Sequence, residues 1–140
     1  MTALADLLAL RDVTRGELEN QEDASVTEDV GYEALEGVDR IHAPSFSPAH
    51  FFFAGPELRL VYLPRTAVGG QDAQPWLDEL GPGPQLRSRT GKRGVLEVRP
   101  ERGFAFSHQD DQVELAEVFP PTTLEAYERD IYEEPPPGIR

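Results

Sequence analysis

His50-Phe51-Phe52-Phe53-Ala54-Gly55-Pro56-Glu57-Leu58-Arg59-Leu60-Val61-Tyr62-Leu63 is the stretch whose reading decides the fold. Two runs rich in aromatic and branched residues flank Ala54-Gly55-Pro56-Glu57, a punctuated turn of hairpin length, so the segment reads as two antiparallel strands. Successive side chains on a strand point to opposite faces, so Phe52 must point away from Phe51 and Phe53. Either helices cover both faces of the sheet, or Phe52 is exposed and marks an interface.

Downstream, a link punctuated by Pro and Gly leads to Asp72–Leu80. This reads as a helix with Pro75 in its first turn, Trp76, Leu77 and Leu80 on one face, and Gly81 as its stop. Leu86–Arg89, Val95–Arg99, Phe104–Phe106 and Val113–Phe119 follow as four short runs between Gly, Pro or charged turns, the pattern of an antiparallel meander. Pro120-Pro121 and the capping-box pair Thr122 and Glu125 open a last helix to Ile131, whose Leu124, Tyr127 and Ile131 share a face that docks on the sheet. The prolines at 135–137 end regular structure and leave residues 135–140 as an extended tail.

Upstream, Leu4, Leu7 and Leu8 share one helical face over residues 3–11, with Thr2 as the candidate cap, and Thr14 with Glu17 starts a second short helix to about Asn20. From Gln21 to Glu36 apolar residues are sparse, and Tyr32 with Leu35 permits one helical turn before Gly37. The expected fold is α+β: one antiparallel sheet of short hairpins with helices packed on it, a single domain over 1–140.

Phe51-Phe52-Phe53, Leu58–Val61 and Pro64 can be laid over Phe104-Ala105-Phe106, Val113–Ala116 and Pro120 at offsets of 53 to 56 positions. Each hairpin begins Phe-x-Phe, passes a polar turn, alternates and ends at proline. This suggests two repeated helix-hairpin units, 14–64 and 73–120, although alternation of this kind is shared by hairpins of any sheet.

Leu80-Gly81-Pro82, Ser88-Arg89, Gly91-Lys92, Val95–Val98, Gly103-Phe104-Ala105-Phe106 and Val113 form a short helix ending at glycine and then a meander with a Gly-aromatic strand. This pattern resembles the tandem helix-plus-sheet units of the β-lactamase-inhibitor-protein-like group, which includes outer-membrane assembly lipoproteins. The likeness covers residues 73–119 and matches 14–64 poorly. It implies a concave sheet that binds another protein and has no chemistry of its own. The chain departs from the secreted members in having no cysteine and no signal or lipoprotein sequence, so their compartment and partners do not carry over.

The 140 residues include 26 acids, 13 bases and no cysteine. Disulfides, thiolate metal sites and a cysteine nucleophile are thereby excluded. MTALADLLALRD lacks a basic leader, and Asp6 interrupts an apolar run too short to span a membrane, so the expectation is a cytoplasmic protein with no membrane contact. A net charge of -13 repels a polyanion at long range and argues against nucleic acid as partner, while it steers the protein towards a basic one.

The charge is uneven, for residues 85–109 hold two acids and six bases. Arg87, Arg89, Lys92 and Arg93 are the candidate anion-binding residues, since guanidinium forks take carboxylates and phosphates bidentately. The Gly-Lys pair is no phosphate-binding loop, because Leu86 and Arg93 stand where that motif needs Gly and Ser or Thr. The plainer reading pairs these bases with the chain's own acids.

His108, Asp110, Asp111 and Glu114 match no established metal spacing and read as a solvated turn. His42 and His50 flank Ser45 and Ser47, but no Gly-x-Ser-x-Gly elbow and no orienting acid accompany them. The expectation is therefore a small non-catalytic protein-binding or immunity-type module without cofactor or metal. An anion-binding domain using the basic hairpin is the alternative, and a hydrolase or metal protein comes last.

Overall fold

Alternation is obeyed where it is strongest. In the computed structural model, which describes residues 2–28, 38–91 and 93–132, the aromatic segment forms a hairpin with Gly55 in its turn at φ +58°. It belongs to an eight-stranded antiparallel sheet: β1 (Ser25–Glu28), β2 (Asp39–His42), β3 (His50–Ala54), β4 (Glu57–Leu63), β5 (Gln85–Arg87), β6 (Val95–Arg99), β7 (Phe104–Gln109) and β8 (Gln112–Val118). Among the described residues five short α-helices accompany it: α1 (Leu4–Leu8), α2 (Arg15–Glu19), α3 (Arg65–Val68), α4 (Gln74–Leu80) and α5 (Leu124–Asp130). The class is α+β, and among the described residues no helix is long and apolar enough to cross a membrane.

The strand order is β1-β2-β3-β4-β8-β7-β6-β5. The chain enters at one edge and walks inward to β4, crosses by α3 and α4 to the other edge, and walks inward again to β8. The two meanders meet where Val61 faces Val118 and Leu63 faces Ala116.

One face of the sheet carries the larger core. Phe51, Phe53, Val61, Phe104, Phe106 and Val118 from the strands meet Leu4 and Leu7 of α1, Leu18 of α2, Val68 of α3 and Trp76 of α4. Trp76 is only 2% exposed; it stands edge-on to Phe104 and Phe106, and its indole N–H donates to the Thr2 carbonyl at 3.1 Å. On the other face Phe52, Leu60, Leu96, Val98, Ala105 and Phe119 pack with Tyr127 of α5 and with Ile131. Phe52 is 2% exposed, so the sequence alternative resolves to a sheet covered on both faces, and Phe52 is not an exposed interface residue.

Several local expectations shift. α1 stops at Leu8 and tightens into a 3-10 turn over Ala9–Asp12; Ala3 occupies its cap position, and the Thr2 amide donates to Gln71 Oε1 instead. Thr14 does cap α2, its hydroxyl oxygen accepting from the Glu17 amide at 3.2 Å. The last helix is capped by Thr123 rather than Thr122, because the Thr122 amide is engaged by the Pro100 carbonyl at 2.9 Å. Strands β1 and β2 were not expected, being short, polar and charged. The helical turn proposed at Tyr32 and Leu35 and the tail at 135–140 lie outside the described residues.

Candidate functional site

Antiparallel register places directly opposed residues on one face. On the face that α5 covers, Ser25 opposes His42, His50 opposes Tyr62, Tyr62 opposes Glu117 and Glu117 opposes Ala105, which in turn opposes Val98. The neighbouring row on the same face runs Thr27, Arg40, Phe52, Leu60. The character of this face changes along its length. Towards β6 it is apolar and lies under α5, where the Tyr127 and Phe119 rings are 5.1 Å apart and the Tyr127 hydroxyl donates to the Glu117 carboxylate. Towards β1 it turns polar: Ser25 and Thr27 are exposed, and Arg40, His42, His50 and Tyr62 are half-buried.

The rings form a ladder across three strands. His42 and His50 lie 5.6 Å apart between centroids, and His50 is stacked on Tyr62 at 6.4 Å with an interplanar angle of 16°. His50 Nδ1 is buried without a hydrogen-bond partner. Burial, then the charge of Arg40, then His42, pushes the His50 imidazole below its ordinary pKa, which favours its neutral form. Burial and the nearby Glu117 carboxylate push the Tyr62 phenol up, against an opposing pull from Arg89. Chemically, this patch offers a guanidinium, two imidazoles and three hydroxyls, a set that can donate to acceptors; among the described residues no hydrogen bond joins Ser25 to His42, which it opposes.

The opposite face holds a second polar group that the sequence did not single out. Glu97 is buried on β6, where its Oε1 accepts from Arg99 at 3.0 Å and its Oε2 accepts from Gln85 at 2.6 Å and His108 at 2.8 Å. Burial alone would raise the carboxyl pKa, but the hydrogen bonds from His108, Gln85 and Arg99 outweigh it and hold the group below its ordinary value. Arg99 donates onward to the carbonyls of Gly81 and Pro84. The network therefore ties the α4–β5 link to the sheet, and its partners are consumed inside the fold. Its only advance signal was Glu97 and Arg99 two apart on an apolar strand, which puts two charges on a buried face.

Arg87, Arg89 and Arg93 of the basic segment are all exposed. Arg87 is exposed at the end of β5, where its carbonyl accepts from the Tyr132 hydroxyl at 2.8 Å. Arg93 pairs with Asp110 at 3.1 Å, both largely exposed, and Arg89 is exposed beyond the strand. Lys92 lies outside the described residues. Ser88, beside them, turns inward to Ser107 at 2.5 Å and Thr90 at 2.8 Å, and so the strand expected to reach Arg89 ends at Arg87.

The other candidates separate in the same way. His108 turns to Glu97, Asp110 to Arg93 and Glu114 to Arg65, and among the described residues no group of three or more His, Asp or Glu could hold a metal. Ser45 sits in a 3-10 turn, Pro44–Phe46, where its amide donates to Gln21 Oε1, and no hydrogen bond joins its hydroxyl or that of Ser47 to His42 or His50. Comparison with protein-family models, with curated proteins and with solved structures finds no match.

Proposed function

We propose that the chain is a non-catalytic protein-binding module that meets its partner through the β1–β3 half of the face shared with α5. The observation that carries this reading is the in-register row Ser25, His42, His50 and Tyr62, with Thr27 and Arg40 beside it. A sheet face that is apolar under its helix and then becomes aromatic and polar where the helix ends has the composition of a recognition surface, since Tyr, His and Arg give large contact area and hydrogen bonds together.

Two repeated units, each a pair of short helices followed by four strands, would build such a face. The inward-walking order of both meanders supports this, as does the matching position of Phe51 and Phe53 on β3 with Phe104 and Phe106 on β7, on the same face of the sheet. The acidity of the whole chain steers a basic partner at long range. Contact chemistry is set by the face itself, because screening confines surface charge to about 8 Å at physiological salt.

An anion site at Arg87, Arg89, Lys92 and Arg93 is the weaker reading, given the Arg93–Asp110 pair. The test is affinity capture from the native lysate with two baits, the natural chain and His42→Ala/His50→Ala/Tyr62→Ala. A stoichiometric protein held by the first and lost from the second, with both baits folded by circular dichroism, is the expected result. A partner held equally by both, or none held by either, defeats the reading.

A further inference from the structure

We propose that Arg40, His42 and His50 form a carboxylate-binding site that takes the acidic side chains of an extended segment of the partner protein. This rests on the protein-binding reading above and adds the chemistry of what is recognised.

The first observation is an unclaimed charge. The chain has twice as many acids as bases, and Arg15, Arg65, Arg93, Arg99 and Arg129 each hold a carboxylate of the same chain. Arg40 is half-buried and makes no ion pair among the described residues, although Asp39 is its neighbour in sequence. The strand explains this. Asp39 points to the opposite face and binds Arg15 at 2.7 Å, so the guanidinium of Arg40 is left on a face where the nearest strand positions are Thr27 and Phe52.

The second observation is an unmet imidazole. His50 Nδ1 is buried with no partner, and among the described residues no hydrogen bond reaches Nε2 either. A buried donor without an acceptor costs more than a buried acceptor without a donor can, since a lone pair is more easily left idle than an N–H. The favoured neutral tautomer therefore carries its proton on Nε2, and that N–H is available to an acceptor brought from outside. His42, 5.6 Å away on the adjacent strand, adds a second imidazole, and the exposed hydroxyls of Ser25 and Thr27 extend the donor row. Apart from Phe52, the side chains described on this part of the face can donate hydrogen bonds, and among the described residues the one carboxylate on the row, Glu117, is two strands from His50 and engaged by Tyr127. Within the roughly 8 Å over which surface charge acts at physiological salt, the donors of this face favour an acidic segment carried by a partner whose overall charge is basic, and donors spaced over three strands suit an extended one.

The test uses the full chain and a fluorescein-labelled octaglutamate peptide followed by anisotropy, with octalysine and inorganic phosphate as competitors. Arg40→Ala should weaken binding at least tenfold and His50→Phe severalfold. Arg102→Ala, which removes an exposed arginine elsewhere that makes no ion pair among the described residues, should leave it unchanged. In NMR the imidazole signals of His42 and His50 should move on peptide addition while that of His108 stays. Equal weakening by Arg40→Ala and Arg102→Ala would reduce the effect to net charge and overturn the proposal. Displacement by phosphate at the peptide's own affinity would overturn it in favour of a small-anion pocket. Binding that maps to Arg87 and Arg93 would overturn this site yet leave the protein-binding reading intact, whereas that reading fails only in the capture experiment.

Discussion

Arg99 and Glu97, two apart on β6 and both nearly inaccessible to solvent, are joined by a 3.0 Å ion pair on the face of the sheet opposite α5. Removing one partner of a buried pair strands the other, which typically costs about 3–5 kcal/mol. Glu97→Gln should therefore destabilise the chain by about 3 kcal/mol in urea unfolding, and a loss under about 1 kcal/mol would mean that the network is solvated. The sign with pH follows from the lowered carboxyl pKa. The Glu97 contribution is complete above the ordinary carboxylate range and is lost as pH falls through the lower folded value, so Glu97→Gln should flatten the acid limb of the stability profile.

Trp76 fixes α4 to the sheet through Phe104, Phe106 and the Thr2 carbonyl. Trp76→Ala should cost about 3–5 kcal/mol, the range for deleting a buried aromatic side chain. Trp76→Phe should recover most of the packing and forfeit only the N–H donation, about 1 kcal/mol. Chemical denaturation of the two variants separates these terms.

The depressed pKa of His50 makes a different pH prediction. Where the folded value lies below the unfolded one, the unfolded chain binds the proton first, so stability is complete above the ordinary value of 6.5 and declines as pH falls through it. His50→Gln should reduce the fall in melting temperature between about pH 7 and pH 5. A profile identical to that of the natural chain would show that His50 titrates as a free imidazole.

Arg93 and Asp110 are both largely exposed, and exposed pairs contribute about 0–1 kcal/mol. Arg87→Glu together with Arg93→Glu should lower stability by about 1 kcal/mol or less, read by thermal unfolding, and leave partner capture unchanged. Loss of the partner from this variant, with its melting temperature little altered, would move the binding site to the hairpin.

Gly103 is required by both space and conformation. It adopts φ +66°, and a Cβ there would run into the Phe119 carbonyl oxygen and the Arg11 guanidinium. Gly103→Ala should destabilise by more than about 1 kcal/mol and disrupt the Gly103–Phe119 backbone hydrogen bond, 2.9 Å from amide to carbonyl. Urea unfolding measures the first, and amide exchange at Phe119 reports the second.

What the sequence determined by itself was local and strongly patterned. Period-two alternation with aromatic residues specified β3, β4, β7 and β8, and Pro75 before Trp76 specified α4, because burial of one face demands the same spacing in any tertiary setting. Ser25–Glu28 and Asp39–His42 carry no such pattern; Asp39–His42 is a strand because the β3 edge offers it backbone partners, Ser25–Glu28 because β2 then offers its own outer edge, and only the assembled sheet could decide that. The candidate site depended on the same step. His42 and His50 were visible as two histidines eight apart, and Arg40 shares a face with His42 once Asp39–His42 is a strand, yet Tyr62 and Ser25 joined them only through cross-strand register, which brings together residues far apart in the chain and which no local spacing encodes. Whether Phe52 faced water was likewise a tertiary decision, made when α5 folded back over the second face of the sheet.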